Sequence, residues 1–256
     1  MKVATWNVNS VLARTENVVS WLETARPDVA CLQETKCIDD RFPCVEFETQ
    51  GYGSALFGQA TYNGVAILSR APVEVLRRGL PDDKEDAQRR LLDIRTQGVR
   101  IINVYAPNGE RVGSDKYAFK LAWYGRLRQY LDAHCRIDEP LILCGDFNVA
   151  PDERDVYDPL VWEGRILFSI PEREALQSLV SWGLVDLFRM HHAEPGLFSW
   201  WDYRAGAFRR NQGLRIDHVL ATSPMAERCT GVEIDRQVRA KERPSDHAPV
   251  IAEFKE

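Results

Sequence analysis

The chain has 256 residues, 45% of them hydrophobic and 28% charged, and its formal net charge is −5. A chain of this length and composition can bury a sizeable core, which excludes an intrinsically disordered protein. Its apolar runs stay short of the roughly 20 residues that a membrane helix needs, and the N-terminal MKVATWNVNS is a strand pattern with no export signal. We therefore expect one domain over residues 1–256, in the cytoplasm and with no membrane partner.

Short apolar runs bounded by turn residues recur along the chain and predict β-strands. In chain order they are VATWNV, DVACLQE, YGSALFG, GVAILSR, LLDIRT, VRIINVYAP, PLILCGDFN, LRIDHVLAT and PVIAEF. Apolar residues at helical spacing predict helices over 14–25, 115–134 and 172–182. Because the strands outnumber the helices, one sheet covered by helices cannot accommodate them all. We predict a four-layer α/β sandwich, in which two mixed β-sheets pack face to face and are flanked by helices.

The charges and the cysteines say little about partners when each is taken alone. Residues 203–215 carry four arginines and no acidic residue. Such a basic strip is compatible with a phosphate backbone, although most such strips are solvated loops. The six cysteines form no CxxC pair and share no ligand spacing with the five histidines, so free thiols are expected in place of disulfides or zinc.

The polar residues that indicate chemistry terminate apolar runs. They are Asn7, Glu34, Asp146, Asn148, Asp217, Asp246 and His247. Each is weak evidence alone, since a polar residue after a strand usually forms a turn or a solvated terminus. As a set they provide hard oxygen ligands for Mg²⁺, amide donors for phosphate oxygens and an imidazole for proton transfer. The set indicates metal-assisted cleavage of a phosphoester.

Longer motifs carry a resemblance to a known family. In order, they are TWNVNS, LQETK, YNGVAILSR, NVYAPN, GDFNVAP, SWGLVDLFR, FSWWDYR, GLRIDHVL and RPSDHAPV. The chain resembles exonuclease III and the abasic-site endonucleases of the endonuclease/exonuclease/phosphatase superfamily, from Lys2 to about Phe254. The resemblance implies a monomeric DNA repair nuclease that uses Mg²⁺ or Mn²⁺. Its implied partner is double-stranded DNA with abasic sites, nicks or 3′ ends.

The resemblance also implies roles for the metal ligands and the attacking water. Glu34 is implied as the principal metal ligand, with Asn9 and Asp246 near the same ion. Asn9 is the least typical of the three, since many relatives carry Asp there. Asp146 is implied to orient the attacking water and help to deprotonate it.

The remaining implied roles concern the phosphate and the DNA backbone. Asn7 and Asn148 would hold the scissile phosphate, and Tyr105 would contact it. His247, held by Asp217, would bind the phosphate and share proton transfer. Further backbone contacts are implied for Asn108, Arg111 and Arg204, the last together with Arg209 and Arg210.

A pocket for a base-less sugar is implied by four apolar positions. They are Trp200, Trp201, Leu214 and Ile216. An apolar wall would admit an abasic sugar and exclude a normal nucleotide by size. For one of the two tryptophans, burial in the core is the better expectation.

Residues 160–171, LVWEGRILFSIP, depart from the more polar stretch of many relatives. Leu167 or Phe168 would narrow the pocket, so we hypothesise a preference for 3′ ends over internal abasic sites.

Two alternatives stay open. One is another phosphoesterase of the superfamily, such as an inositol or lipid phosphatase or a non-specific nuclease. The other is a DNA-binding module with an inactive site, which the complete set of polar residues argues against.

Overall fold

The computed structural model describes residues 1–84 and 87–255, in which twelve strands form two sheets. The strands are β1 (Lys2–Asn7), β2 (Val29–Gln33), β3 (Gly53–Phe57), β4 (Val65–Ser69), β5 (Glu74–Arg78), β6 (Leu91–Thr96), β7 (Val99–Tyr105), β8 (Leu141–Asp146), β9 (Leu184–Asp186), β10 (Asp217–Thr222), β11 (Cys229–Ile234) and β12 (Val250–Phe254). The helices are α1 (Val11–Ala25), α2 (Cys44–Glu48), α3 (Asp115–His134), α4 (Pro159–Trp162), α5 (Ile170–Val180), α6 (Leu187–His191) and α7 (Ser223–Ala226). None of these helices is both long and apolar enough to cross a bilayer.

Each sheet has six strands and one parallel pair. The first sheet runs β11-β12-β1-β2-β4-β3 and the second β5-β6-β7-β8-β10-β9. Strands β1 and β2 are parallel, as are β7 and β8, and the other pairs are antiparallel. Both sheets are therefore mixed, as predicted.

The two sheets face each other across a continuous apolar core. Val29, Val65 and Ile67 of the first sheet pack in one cluster with Ile101 and Ile142 of the second. Along β1, Val3 joins this inner cluster, whereas Ala4 and Trp6 join the outer one. This alternation is the period of two that a strand requires, and it places apolar residues on both faces of the central strands.

Helices cover the two outer faces and complete the four predicted layers. Val18, Trp21 and Leu22 of α1 pack on the outside of the first sheet. On the outside of the second, α3 packs through Leu127 and Leu131, together with α5. The Ser114 side chain accepts a hydrogen bond from the Tyr117 backbone and caps α3, which begins and ends at the predicted residues.

Three strands were not predicted from the sequence, and all three lie at the edges of the sheets. They are β5, β9 and β11. An edge strand is solvated along one side, so its apolar pattern is diluted; β5 is at most half-buried and β9 has three residues. The predicted run LRIDHVLAT also began too early, because β10 starts at Asp217.

A buried amide pair joins the two sheets. The Gln33 side chain donates from Nε2 to Oδ1 of Asn103 at 2.7 Å. Asn103, on β7, donates from Nδ2 to the backbone oxygens of Leu32 (3.0 Å) and Ala66 (2.9 Å) in the first sheet. These directional bonds fix how the sheets lie on each other.

Candidate active site

The candidate site lies at one end of the two sheets, where the parallel pairs finish. Asn7 ends β1 beside Gln33 of β2, and Glu34 follows. In the second sheet, Tyr105 of β7 pairs with Asp146 of β8. Parallel neighbours end at the same edge, so these side chains converge.

Asp217, Asp246 and His247 reach this edge differently from the sequence prediction, which had them terminate strands. Asp217 begins β10, which is antiparallel to β8, so it pairs with Asp146. Asp246 and His247 precede β12, which is antiparallel to β1. The prediction of strand termini was wrong for these three residues, because periodicity does not give strand direction.

At the centre, Asn7 bridges two carboxylates. Its Nδ2 donates to Oε1 of Glu34 at 2.8 Å and to Oδ2 of Asp146 at 2.9 Å. Both amide hydrogens are thereby engaged, so a phosphate would have to displace one carboxylate to receive a hydrogen bond from Asn7. The bridge also holds the ends of β1, β2 and β8 together.

His247 lies between two aspartates. Its Nδ1 is 2.9 Å from Oδ2 of Asp217, and its Nε2 is 3.8 Å from Oδ2 of Asp146. The Ser199 hydroxyl donates to Asp217 at 2.6 Å and accepts from the backbone N–H of Asp217 at 3.1 Å. Asp217 therefore fixes the ring, and the opposite ring nitrogen faces Asp146.

Asn148 adopts a positive φ of 52°, which turns it back over Asp146. Its backbone N–H donates to Oδ1 of Asp146 at 2.9 Å, and its side chain receives a 3.2 Å hydrogen bond from Asn108. Lys120, fully buried on α3, donates to the backbone oxygens of Asn148 (2.7 Å) and Asn108 (3.1 Å). Lys120 also forms a buried ion pair with Glu172.

The donor set suits a hard divalent cation. Glu34, Asp146 and His247 each offer a ligand atom, and these atoms lie within 4.8 Å of one another. The ammonium of Lys36 lies 2.7 Å from Oε2 of Glu34 and 2.6 Å from Oδ1 of Asn9, so these oxygens already attract positive charge. The residues present, two carboxylates and one imidazole, therefore fit a divalent metal ion held mainly by oxygen ligands.

Asp246 belongs to the rim of this donor set. Its Oδ1 accepts from Nδ2 of Asn9 at 3.0 Å, and its Oδ2 accepts from the indole N–H of Trp200 at 3.0 Å. Asn9, with a φ of 46°, thus links Asp246 to Lys36 and Glu34. The three predicted metal ligands lie together, with Asn9 in the middle.

Crowding of carboxylates shifts the pKa values in the site. Burial raises the pKa of Asp146, and repulsion from Asp217 adds to this, while His247 opposes it. Burial alone would lower the pKa of His247, but Asp217 and Asp146 raise it above its ordinary value. Burial would likewise raise the pKa of Glu34, but Lys36 and the Asn7 amide lower it. Each of these three pKa values is therefore set by burial together with the charges of the neighbouring side chains.

Tyr105 forms one wall of the centre. Burial raises the pKa of its hydroxyl, and the charges of Glu34 and Asp146 raise it further. The Arg90 guanidinium lies 4.6 Å from the centre of its ring and donates to its backbone oxygen at 3.0 Å. Tyr105 is thus a protonated donor held in place.

Comparisons with known proteins give the family. A family model described as the Endonuclease/Exonuclease/phosphatase family matches residues 4–247. The exodeoxyribonuclease III of Haemophilus influenzae is 39% identical over the whole of both chains. The chain belongs to this family.

Two solved structures share the whole fold. A 3′ phosphatase from Neisseria, bound to a product DNA hairpin, is 43% identical with a TM-score of 0.94. An AP endonuclease from Archaeoglobus fulgidus is 38% identical with a TM-score of 0.96. Each match covers 100% of both chains. The exonuclease III and AP endonuclease branch of the family is therefore the one to which this chain is similar throughout.

Around the candidate active site, the residues that were expected to line a pocket divide into two groups. Trp200 is half-buried and joins a cluster that contains Leu214, Ile216 and Leu167. Trp201 is fully buried in another cluster with Phe198 and Ala207. The expectation that Trp201 lines the pocket was therefore wrong, because its ring packs in the core. Core burial of one of the two tryptophans was expected, and Trp201 is that one.

The expected backbone contacts lie on the surface. Asn108, Arg111 and Arg204 are exposed, and Arg204 pairs with Asp202 at 2.8 Å. Leu214 and Ile216 are buried, and Leu167, with a φ of 73°, packs in the same cluster. Leu167 thus lies among three of the residues that were expected to wall a sugar pocket.

Sequence reasoning missed four residues that hold the site. They are Lys36, Arg90, Lys120 and Ser199. Lys36 stands inside the LQETK motif, which was a usable signal. Lys120 occupies the buried stripe of α3, where a lysine ordinarily signals a solvated position, so no pattern in the sequence could have singled it out.

Proposed function

We propose that this chain is a DNA repair hydrolase that cleaves phosphodiester bonds at abasic sites and removes nucleotides or blocking groups from 3′ ends. The arrangement of Glu34, Asp146 and His247 around Asn7 carries this proposal. Paired carboxylates, a carboxylate-held imidazole and amide donors are the groups that phosphoester hydrolysis requires.

In the proposed reaction, Asp146 orients a water molecule and accepts its proton. The water oxygen forms a bond to phosphorus in line with the bond to the 3′ oxygen, which breaks. The departing 3′ oxygen takes a proton from His247, which leaves a 3′-hydroxyl and a 5′-phosphate. Asn148, Tyr105 and His247 donate to the phosphoryl oxygens as charge develops on them.

A metal ion is proposed at Glu34, with Asn9 and Asp246 close to it. We propose Mg²⁺, for which Mn²⁺ can substitute, because the donor atoms are hard oxygens. When bound, the ion would stabilise negative charge on the phosphoryl group. Loss of the carboxylate in Glu34→Gln should weaken Mn²⁺ binding, measured by titration calorimetry.

End-labelled duplexes would test the reaction. One duplex carries an internal abasic analogue and another a nick with a 3′-phosphate, each incubated in Mg²⁺ and in EDTA. Glu34→Ala or Asp146→Ala should abolish metal-dependent cleavage of both, while Arg136→Gln, at the opposite end of β8, should not. Wild-type protein that cleaves neither duplex in any divalent metal would contradict the proposal, and inositol or lipid phosphates would be tested next.

The preference between the two substrates is proposed to depend on Leu167. Its side chain packs with Leu214, Ile216 and Trp200, where an abasic sugar turned out of an intact duplex would need space. A 3′-terminal phosphate requires no such turned-out sugar. We therefore propose that the enzyme favours 3′ ends.

Leu167→Gly tests this preference and is compatible with the backbone, since glycine adopts a φ of 73° without strain. The ratio of abasic cleavage to 3′-phosphate removal should rise. Phe168→Leu, a change in the same cluster that keeps the apolar filling, serves as the control. An unchanged ratio in Leu167→Gly would refute the gating role.

Two further properties stay predictions. We propose that the protein acts as a monomer and in the cytoplasm. The molar mass measured by light scattering in the presence and absence of DNA tests the first, and cell fractionation tests the second.

A further inference from the structure

A short ladder of backbone pairs leads outward from His247. Isolated bridges join His247 to Trp200, Trp200 to Leu214, and Leu214 to Val156. The Tyr157 N–H continues the ladder with a 3.1 Å hydrogen bond to the Gly213 oxygen. Three steps of about 4.8 Å give about 14 Å between the His247 and Val156 backbones, the length of about four nucleotides of DNA.

Two excursions leave this ladder side by side. Residues 157–166 leave at Val156 and return at Leu167, whose oxygen accepts from the Ala150 N–H at 2.8 Å. Residues 201–213 leave at Trp200 and return at Leu214. Both excursions therefore start from the ladder that begins at His247.

The first excursion exposes apolar side chains. Leu160 on α4 is 94% exposed, the highest value among the exposed large hydrophobic residues. Tyr157, 36% exposed, meets the ring of Trp162 edge-on with 6.4 Å between centres. Exposed apolar groups that lie together mark an interaction surface, whereas a single one does not.

The surroundings carry positive charge suited to DNA. Arg165, Arg209 and Arg210 are exposed, and within residues 1–84 and 87–255 no carboxylate forms an ion pair with them. Of the nearby acids, Glu163 pairs with Arg173 and Asp152 with Arg154, Asp158 caps α4, and Glu153 is exposed. Positive groups around an apolar tip complement a polyanion that presents an apolar face.

We propose that residues 157–165, here named the apolar knob, pack on the exposed face of the terminal base pair at a nick, gap or 3′ end, with Leu160 at the tip. The inference rests on the proposed function and assigns that activity a preference for interrupted DNA. In a continuous duplex every base is covered by its neighbours, and the outer surface is charged. An interruption uncovers a base face within reach of the knob.

Leu160→Ser tests the contact, because the exposed side chain contributes little to folding. Ile137→Ser is the matched control: Ile137 is 57% exposed and precedes β8, at the end opposite Asp146. Leu160→Met keeps the apolar tip. Kd would be measured by fluorescence anisotropy in EDTA on a duplex with a one-nucleotide gap and a 3′-phosphate, and on the continuous duplex.

For Leu160→Ser we expect Kd for the gapped duplex to rise about 5- to 50-fold, the range for losing half to all of a buried leucine contact. Kd for the continuous duplex should not change, and neither control should differ from wild type by more than about twofold. An apolar contact leaves the salt dependence of Kd unchanged, whereas Arg165→Gln should reduce the log–log slope by about 0.9 if it meets a phosphate.

Equal Kd values for wild type and Leu160→Ser on the gapped duplex would overturn the inference, as would an equal loss on both duplexes. Turnover separates this failure from failure of the proposed function. If wild type cleaves in Mg²⁺ and Leu160→Ser binds the gapped duplex as tightly as wild type does, the knob alone is refuted. A Leu160-dependent Kd without any cleavage would keep the knob and refute the nuclease.

Discussion

Substituting Lys120 by Met should destabilise the fold by about 3–5 kcal/mol, because it leaves the carboxylate of Glu172 buried without its cation. Both side chains are fully buried. The Glu172 carboxylate also accepts from the backbone N–H groups of Leu167 and Ser169, each at 3.0 Å. The charge therefore cannot move to solvent without breaking these hydrogen bonds to the 167–169 backbone.

The effect on melting temperature follows from the size of the chain. At about 2–4 °C per kcal/mol for chains of this length, Lys120→Met should lower Tm by about 6–20 °C. Glu172→Gln should cost a similar free energy by leaving the ammonium unpaired. The double variant should cost at least about 2 kcal/mol less than the sum of the single variants, since neither charge is then stranded.

Urea denaturation of the four proteins would measure this cycle, with kcat on the 3′-phosphate duplex in parallel. The Lys120 ammonium binds the backbone oxygens of Asn108 and Asn148, so kcat should fall in Lys120→Met even at temperatures where the protein is folded. Additive losses in the cycle, or a loss below about 1 kcal/mol in each single variant, would refute the reasoning.

Three further predictions concern other parts of the molecule. Asp217→Asn should lower kcat by about 10²- to 10⁴-fold with little change in KM, as the imidazole of His247 loses its orienting carboxylate; an unchanged kcat would contradict this. Burial lowers the pKa of His218 to about 4. The free energy of unfolding is therefore highest above about pH 6.5 and falls by up to about 3 kcal/mol as the pH drops towards 4. The Tm of His218→Gln should consequently vary less with acid than that of wild type. Gly145→Ala would place a Cβ 1.9 Å from a β7 carbonyl and should prevent soluble folding, whereas Gly125→Ala, open on α3, should be neutral or stabilising in a Tm assay.

The central strands and long helices were predictable because both faces of those strands are buried. Runs such as VRIINVYAP and PLILCGDFN are almost continuously apolar, and they form β7 and β8. The missed strands β5, β9 and β11 lie at edges, where solvent replaces one neighbour. A strand buried on both faces is a nearly continuous apolar run in the sequence, whereas an edge strand is not.

The candidate site was predictable as a set of residues and only partly as an arrangement. Motifs placed Glu34 and Asp146 together, and the structure joins them through Asn7. The direction of β10 was not visible, because Asp217 precedes its strand and periodicity is the same in both directions. The ring of Trp201 points to the core, a choice made by tertiary packing with Phe198.

The hydrogen bonds between Gln33 and Asn103 bear on how much this enzyme can change without losing its chemistry. Two apolar sheet faces alone would tolerate a shift of one residue, about 3.3 Å, at a modest cost in free energy. Such a slide would pull Asn7 away from Asp146, whose 2.9 Å contact joins the halves of the site. The hydrogen bond between the two side-chain amides fixes the position of one sheet relative to the other. Loops such as 157–166 and 201–213 are then free to diversify towards new DNA ends, because the alignment of the reacting groups is set in the interior and not by the loops themselves.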